Sequence, residues 1–415
     1  MSDRTARPKS IAIIGAGPAG LMAAEVAASA GHAVTVYERM PSPARKFLMA
    51  GRGGLNLTHS EPLELFLTRY GNDAKRVRDA VKAFPPDRVI AWAHDLGQET
   101  FLGSSGRIFP QAMKASPLLR AWLKRLDALR VDIKTQCTWT EFSGSRGVAI
   151  RNAAGVVSVC EPDAVIFALG GASWPRLGSD GAWVEAFAAA GISVAPLKAS
   201  NAGARIAWSQ RFATRYAGQP LKRIAISIGK TVRRGEAVIT QSGLEGGVIY
   251  ALGPDIRTVL GAKGSAQLVI DLKPDMTIEA LTQRLLRPQG SQSRSNFLRK
   301  AAGLDAPAIG LIREAGPFPL EADATAALIK AVPVGVQDLA GLNRAISTAG
   351  GIRDADLTGD FMMSARPGVF VAGEMLDWDA PTGGYLLQGA FATGHAAAQG
   401  ALNWLNTRPE TPAVT

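Results

Sequence analysis

The chain has 415 residues, 47% hydrophobic and 20% charged, which suits two or three globular domains and excludes a disordered polymer. Two cysteines (Cys137, Cys160) and four scattered histidines (His32, His59, His94, His395) exclude a disulfide framework, a C-x-x-C dithiol and a clustered metal centre, so no metal ligands are expected. The net charge of +11 is densest in the acid-free stretch of Arg284, Arg287, Arg294, Arg299 and Lys300, and reads first as a solvated basic surface.

Arg4, Arg7 and Lys9 precede an apolar run from Ile11 and imitate a signal peptide. The run is broken by Gly15, Gly17, Pro18 and Gly20 and carries Glu25. A membrane helix needs about 20 apolar residues, and no stretch supplies them without charge or glycine. A cytoplasmic protein without a membrane partner is expected, with free tails at 1–8 and 407–415.

Ser10–Ile14 is a short apolar run that suits a buried parallel strand. Gly15-Ala16-Gly17-Pro18-Ala19-Gly20 follows and fits G-x-G-x-x-G. Leu21 to Ala30 reads as a helix ended by Gly31, and Ala33–Tyr37 as a second strand closing on Glu38 and Arg39. Gly15 permits the tight turn, Gly17 lets backbone approach a pyrophosphate, and Gly20 lets helix pack on strand. Pro18 and Ala19 complete the turn at the helix N-terminus, whose free N–H groups favour phosphate. Glu38 can accept from ribose hydroxyls and would repel a 2′-phosphate. Strand, turn, helix, strand and acid together predict a dinucleotide site.

Two later segments favour FAD over NAD. Ala164–Leu169 reads as a strand running into Gly170-Gly171, as a chain passing close to a cofactor requires. Gly368–Ala372 reads as a strand running into Gly373-Glu374, and Asp377, Trp378 and Asp379 follow. Gly383-Gly384-Tyr385-Leu386 then opens an apolar helix reaching Trp404. Glu374 would hold a long cofactor at its middle, and the helix N-terminus would face the flavin's N1/O2 edge. No second G-x-G-x-x-G marks a separate NAD(P)H site.

Between 196 and 335 the composition changes. Ile206–Trp208, Arg223–Ile228, Glu236–Thr240, Val248–Tyr250 and Ala266–Ile270 read as short strands. Thr277–Leu286, Arg294–Ala302, Ala308–Glu314 and Ala324–Lys330 read as helices. The expected organisation is a FAD-binding domain in two parts, 1–195 and 336–415, around an inserted β-rich and helical substrate or cap domain, 196–335.

The fingerprint and the stretch Arg45-Lys46-Phe47-Leu48-Met49-Ala50-Gly51-Arg52-Gly53-Gly54-Leu55-Asn56-Leu57-Thr58 resemble the bacterial BaiN-like NAD(P)/FAD-dependent oxidoreductases, a group that includes aminoacetone oxidase. Gly106-Arg107-Ile108-Phe109-Pro110, Gly170-Gly171 through Gly181, and Gly373-Glu374 through Gln388 follow in the same order. The resemblance implies an α/β, two-dinucleotide-fold flavoprotein, Rossmann-like, with one FAD and an inserted unit. It gives Gly15, Gly17 and Gly20 the pyrophosphate, Glu38 the ribose and Glu374 the ribityl chain. It lays Arg45, Lys46, Asn56 and Thr58 along the flavin, and faces Gly383, Gly384 and Tyr385 to the ring edge. Many relatives read Gly-Gly-Gly-Arg-Cys-Asn where this chain has Gly51-Arg52-Gly53-Gly54-Leu55-Asn56, so any role of that cysteine is absent and no substrate carries over.

The expected reaction is hydride transfer between flavin N5 and a small organic substrate. An amine oxidase-type reaction returning electrons to O₂ leads, and NAD(P)H-dependent reduction of an unsaturated substrate is the alternative. Catalytic candidates are Lys46, Asn56, Asp377 and Tyr385, with no single one distinguished. A nucleic-acid role is disfavoured, because the basic stretch offers only Phe297 as a stacking platform.

Overall fold

The computed structural model describes residues 8–71 and 73–407. Most of the two expected tails therefore lies outside the described residues. The chain forms two compact units, residues 1–198 with 347–415, and residues 199–346. The sequence reading puts these boundaries at 195/196 and 335/336. The second falls later in the structure because Asp338–Leu339 still pairs with Ala204–Arg205.

The first unit is built on a five-stranded parallel sheet. Its order is Val369–Val371, Ala164–Phe167, Ser10–Ile14, Ala33–Glu38, Asp132–Thr135. Ser10–Ile14, Ala164–Phe167 and Val369–Val371 are nearly continuous apolar runs, buried almost throughout, whereas the edge strand Asp132–Thr135 is polar and buries no residue. The fingerprint helix, Pro18–Ser29, starts at Pro18 rather than Leu21, with proline in its first turn where its missing N–H costs nothing. The last helix, Tyr385–Asn406, packs on it so closely that a Cβ on Gly394 would lie 2.2 Å from the Ala19 carbonyl oxygen. Phe47, Trp92, Trp122 and Phe391 fill the core beside these helices in edge-on and tilted contacts.

Inside this core sits one buried acid. Glu25, in the fingerprint helix, accepts from Trp92 Nε1 at 3.0 Å, Trp122 Nε1 at 2.6 Å and Arg125 at 2.9 Å. Two indole donors and one cation satisfy the carboxylate there.

The second unit has a seven-stranded sheet whose pairs are antiparallel. Helices Ile278–Leu285, Arg294–Ala301, Ala306–Ala315 and Ala322–Lys330 form where the periodicity places them. Two expected strands do not form. At Ile206–Trp208 the chain turns, with the Trp208 N–H donating to the Ile206 carbonyl, before Ser209 caps a helix. Val248–Tyr250 lies in the helix Gly247–Ala251, because Gly246, at φ 115°, ends the preceding strand and accepts from the amides of Ile249 and Tyr250. A short β-branched run carries no period of its own, so local backbone decides.

Candidate functional site

The strand ends of the first unit bring the expected cofactor residues together. Gly15 leaves its strand at φ 106°, and its N–H donates to the Tyr37 carbonyl at 2.8 Å. A Cβ there would lie 2.4 Å from the Ala168 oxygen, and one on Gly20 would lie 1.9 Å from the Gly15 oxygen. Gly17 differs: a Cβ there meets nothing within 4 Å. It is the N-cap of the fingerprint helix, with no side-chain cap and no acid in the first turn. The helix thus presents unsatisfied N–H groups to open space, as a pyrophosphate requires.

Glu38 ends the second strand. Its carboxylate accepts from the Ala16 N–H at 2.9 Å and the Met40 N–H at 2.8 Å, which ties the strand end to the glycine turn. Arg39 pairs with Asp180 at 2.7 Å, leaving its buried Nε without a partner. Arg45 Nε and Asn56 Oδ1 are likewise buried and unpartnered. Orphaned polar atoms are costly in a finished interior. Their place along the expected cofactor path, with the open Gly17 cradle, fits a bound dinucleotide.

Lys46 and Glu374 form the centre of a second cluster. Their ion pair is 2.7 Å long, and Lys46 also donates to Ser173 Oγ at 2.9 Å. Glu374 accepts from the Thr348 N–H at 2.8 Å and the Gly171 N–H at 3.3 Å. Thr348 Oγ1 in turn accepts from the N–H groups of Ala172 and Ser173. A Cβ on Gly171 would collide with Thr348, so the double glycine serves close packing of this turn. Gly170 and Gly373 hold φ 75° and 74° at the ends of their strands.

The Gly383-Gly384 turn, at φ 125° and 101°, opens the last helix. Thr58 lies under it: a Cβ on Gly384 would come within 2.5 Å of the Thr58 backbone. Thr58 itself is fully buried, and its hydroxyl donates to Gln388 Oε1 at 2.8 Å while Gln388 Nε2 donates to the Phe84 carbonyl. The structure thus gives this side chain a bracing role beneath the turn. A Thr58→Val substitution should cost about 1–3 kcal/mol in a denaturant melt, the price of an unpaired buried amide oxygen. FAD content of the folded fraction should stay unchanged; a selective loss of FAD would place the hydroxyl on the cofactor instead.

Tyr385 is buried against His59 and Phe66, and its hydroxyl donates to Glu61 Oε1 at 2.6 Å. Glu61 is clamped from the other side by Arg69, through Nε at 3.0 Å and a terminal nitrogen at 2.7 Å. Burial first, and then the Glu61 carboxylate, push the Tyr385 hydroxyl well above its ordinary range, so it stays protonated. Burial pushes Glu61 upward, but the Arg69 and Tyr385 contacts outweigh it and hold the acid below its ordinary 4.5. A lowered carboxylate adds stability above its ordinary value and loses it as pH falls through the folded value. Arg69→Ala should therefore lower the melting temperature most near neutrality, and the gap should shrink in acid; a gap independent of pH would contradict the clamp.

Asp377 is exposed, and its N–H donates to the Ile352 carbonyl. Trp378 is buried, with its indole N–H on the Gly373 carbonyl at 2.9 Å, so it packs the turn from behind. Leu386 is half-buried in the first turn of the last helix. Sequence reasoning missed Glu61, Arg69 and His59, which no motif links. It also missed Thr348, which stands two positions before the Gly350-Gly351 pair. Arg107 sits next to the Gly383 turn, its Nε 3.9 Å from a Cβ built on that glycine. Among the described residues there is no His/Cys/Asp/Glu group able to hold a metal ion, and no helix long and apolar enough to cross a membrane.

Comparison with known proteins adds the following. A family model described as the HI0933-like protein Rossmann domain matches residues 9–400. The 3-dehydro-bile acid delta(4,6)-reductase of Clostridium scindens is 25% identical over 414 residues, covering 94% of this chain and 98% of its own. The ribosomal RNA dihydrouridine synthase of Escherichia coli is 24% identical over 404 residues, covering 93% and 96%. Among solved structures, a 3-ketosteroid-delta4-(5alpha)-dehydrogenase from Rhodococcus jostii superposes with a TM-score of 0.51 at 17% identity, covering 96% of this chain and 99% of its own. That likeness is one of fold.

Proposed function

The chain belongs to the HI0933-like Rossmann-domain family and is an FAD-dependent oxidoreductase, and from this we propose that it reduces a carbon–carbon double bond conjugated to a carbonyl, with NAD(P)H as transient electron donor. One observation carries the reading. The two relatives named above, each aligned over more than nine-tenths of this chain, are a 3-dehydro-bile acid delta(4,6)-reductase and a ribosomal RNA dihydrouridine synthase, and both names denote hydrogen added to a carbon–carbon double bond.

When bound, FAD supplies a hydride at N5. The protein's own residues hold and polarise. Backbone N–H groups of Gly17, Ala19 and Gly20 would take the pyrophosphate, Glu38 the ribose, and Lys46 with Glu374 the ribityl chain. The N-terminus of Tyr385–Asn406, with no side-chain cap, favours negative charge in front of it. Tyr385, kept neutral and anchored by Glu61, would fix the ring edge.

The second reading is an amine oxidase using O₂. It would draw on a carboxylate to orient the amine, and the candidate Asp377 is exposed to solvent. Anaerobic stopped-flow spectroscopy separates the two. The reductase reading expects NADH or NADPH to bleach the flavin without substrate, and a conjugated enone to restore its colour. Bleaching by amines alone, with recovery only in O₂, would replace it with the oxidase reading.

A further inference from the structure

A small antiparallel sheet stands beside the Gly383 turn. It joins Thr58–His59, Arg107–Pro110 and Thr100–Leu102 in that order. His59 lies opposite Arg107 and Phe101 opposite Phe109, so these four side chains share one face. Each of the four is half-buried. Thr58 and Ile108, opposite each other one position away, are buried on the other face.

One end of the shared face is apolar and flat. The Phe101 and Phe109 rings stack with centroids 5.7 Å apart. Two glycines flank the Phe109 ring: a Cβ on Gly103 would lie 3.0 Å from its Cε2, and one on Gly54 3.5 Å from its Cε1. The other end is cationic. Arg107 Nε lies 3.9 Å from a Cβ built on Gly383, and the Tyr385 ring lies 3.1 Å from the same point. Among the described residues the Arg107 guanidinium has no hydrogen bond and no ion pair. The polar groups beside it are committed elsewhere. Glu61 is held by Arg69 and by the Tyr385 hydroxyl. His59 Nδ1 accepts from the Glu61 N–H at 3.1 Å, which leaves the Nε2 proton for the Ser105 carbonyl, also at 3.1 Å. A planar guanidinium offers paired donors and no acceptor, and a carboxylate matches that fork.

We propose that this face seats the substrate and that Arg107 selects an arylalkenoate. The aromatic ring would lie at the Phe101–Phe109 end and the carboxylate on the guanidinium, with the conjugated double bond between them. The inference rests on the reductase reading and narrows it, since the carboxylate then supplies the conjugated carbonyl. Arg107 and Phe109 are two positions apart, about 7 Å along the strand. A phenyl ring joined through two carbons to a carboxylate covers that span. A neutral ketone offers a single acceptor oxygen to a fork with two parallel donors, and so fits less well. One unmatched cation also suits one negative charge better than a phosphate dianion.

The test titrates two saturated probes, which cannot take up a hydride, into the oxidised FAD-loaded protein. They are 3-phenylpropanoate and 3-phenylpropanamide, and the shift of the flavin absorption band reads their binding. Wild type should bind the acid about tenfold more tightly than the amide, as one charge-assisted contact provides. Arg107→Met should weaken the acid about tenfold and leave the amide unchanged, and Arg107→Lys should recover part of the preference. In turnover, cinnamate should have a KM about tenfold below that of cinnamamide in wild type and an equal one in Arg107→Met. Equal binding of acid and amide to wild type, binding of neither, or an acid preference that survives Arg107→Met would overturn the proposal. So would equal weakening of both probes in Arg107→Met, which would put the guanidinium on the flavin instead. The probe titrations need no reduced flavin. Failure of NAD(P)H to bleach the flavin, with the acid preference intact, would sink only the reductase reading.

Discussion

Replacing Gly17 by alanine should leave the fold intact and sharply weaken FAD binding. The Cβ meets no atom within 4 Å, and the residue sits at φ −79°, which alanine adopts freely. Stability of the apoprotein should stay within ~0.5 kcal/mol of wild type. The methyl group would instead occupy the space a pyrophosphate needs, so affinity for FAD should fall on the order of 100-fold, ~2.7 kcal/mol. Gly20→Ala should behave oppositely. Its Cβ would lie 1.9 Å from the Gly15 oxygen, a backbone atom that cannot swing away. Overpacking of that kind should destabilise the apoprotein by roughly 3 kcal/mol. Apoprotein melts together with fluorescence titration of FAD separate the two effects. Equal FAD affinity in Gly17→Ala and wild type would remove the pyrophosphate from this turn.

Glu25→Leu should be the most damaging single change away from the cofactor. The two buried indole N–H groups of Trp92 and Trp122 would lose their acceptor, and Arg125 its partner. Breaking a buried pair of this kind costs about 3–5 kcal/mol. Glu25→Gln keeps one acceptor oxygen and should cost about half as much. Arg125→Ala should cost less than Glu25→Leu, since the two indoles still satisfy the carboxylate. Urea midpoints measure all three, and a neutral Glu25→Leu would mean that the indoles find water. The fingerprint helix carries Glu25 and begins at the Gly17 turn, so its core anchor also holds the free N–H groups of that turn in place.

The parts of the fold and site that were legible in the sequence are those governed by backbone. Gly15, Gly20, Gly171 and Gly384 each sit where a Cβ would strike backbone or a fixed side chain, so glycine spacing by itself marks the turns. Four of the five parallel strands were legible as apolar runs; the edge strand Asp132–Thr135, polar and without a buried residue, carried no such signal. What was missed depends on side chains from distant segments. Glu61 and Tyr385 lie 324 positions apart, and Lys46 and Glu374 lie 328 apart. Nothing in either neighbourhood announces its partner. Thr58 illustrates the opposite case: its position beneath the Gly384 turn follows the motif, but its hydroxyl points to Gln388. Val248–Tyr250 became helix because a positive φ at Gly246 overrode β-branched composition.

The charge could not be placed from composition alone. The +11 acquires meaning only when the chain is divided, because most of it then falls on one unit. Arg294, within the acid-free stretch, is an internal brace rather than a surface charge.

The central claim is that the bound flavin of this chain passes a hydride to a conjugated double bond. Anaerobic double-mixing measures it directly. The protein is first reduced with one equivalent of NADPH or NADH, then mixed with a 4-en-3-one steroid, a uridine-containing RNA duplex, or oxygenated buffer. The account predicts that a conjugated substrate reoxidises the flavin faster than O₂ does and appears as its dihydro product. A flavin that NAD(P)H leaves oxidised, that amines reduce, and that only O₂ reoxidises with release of peroxide would contradict it.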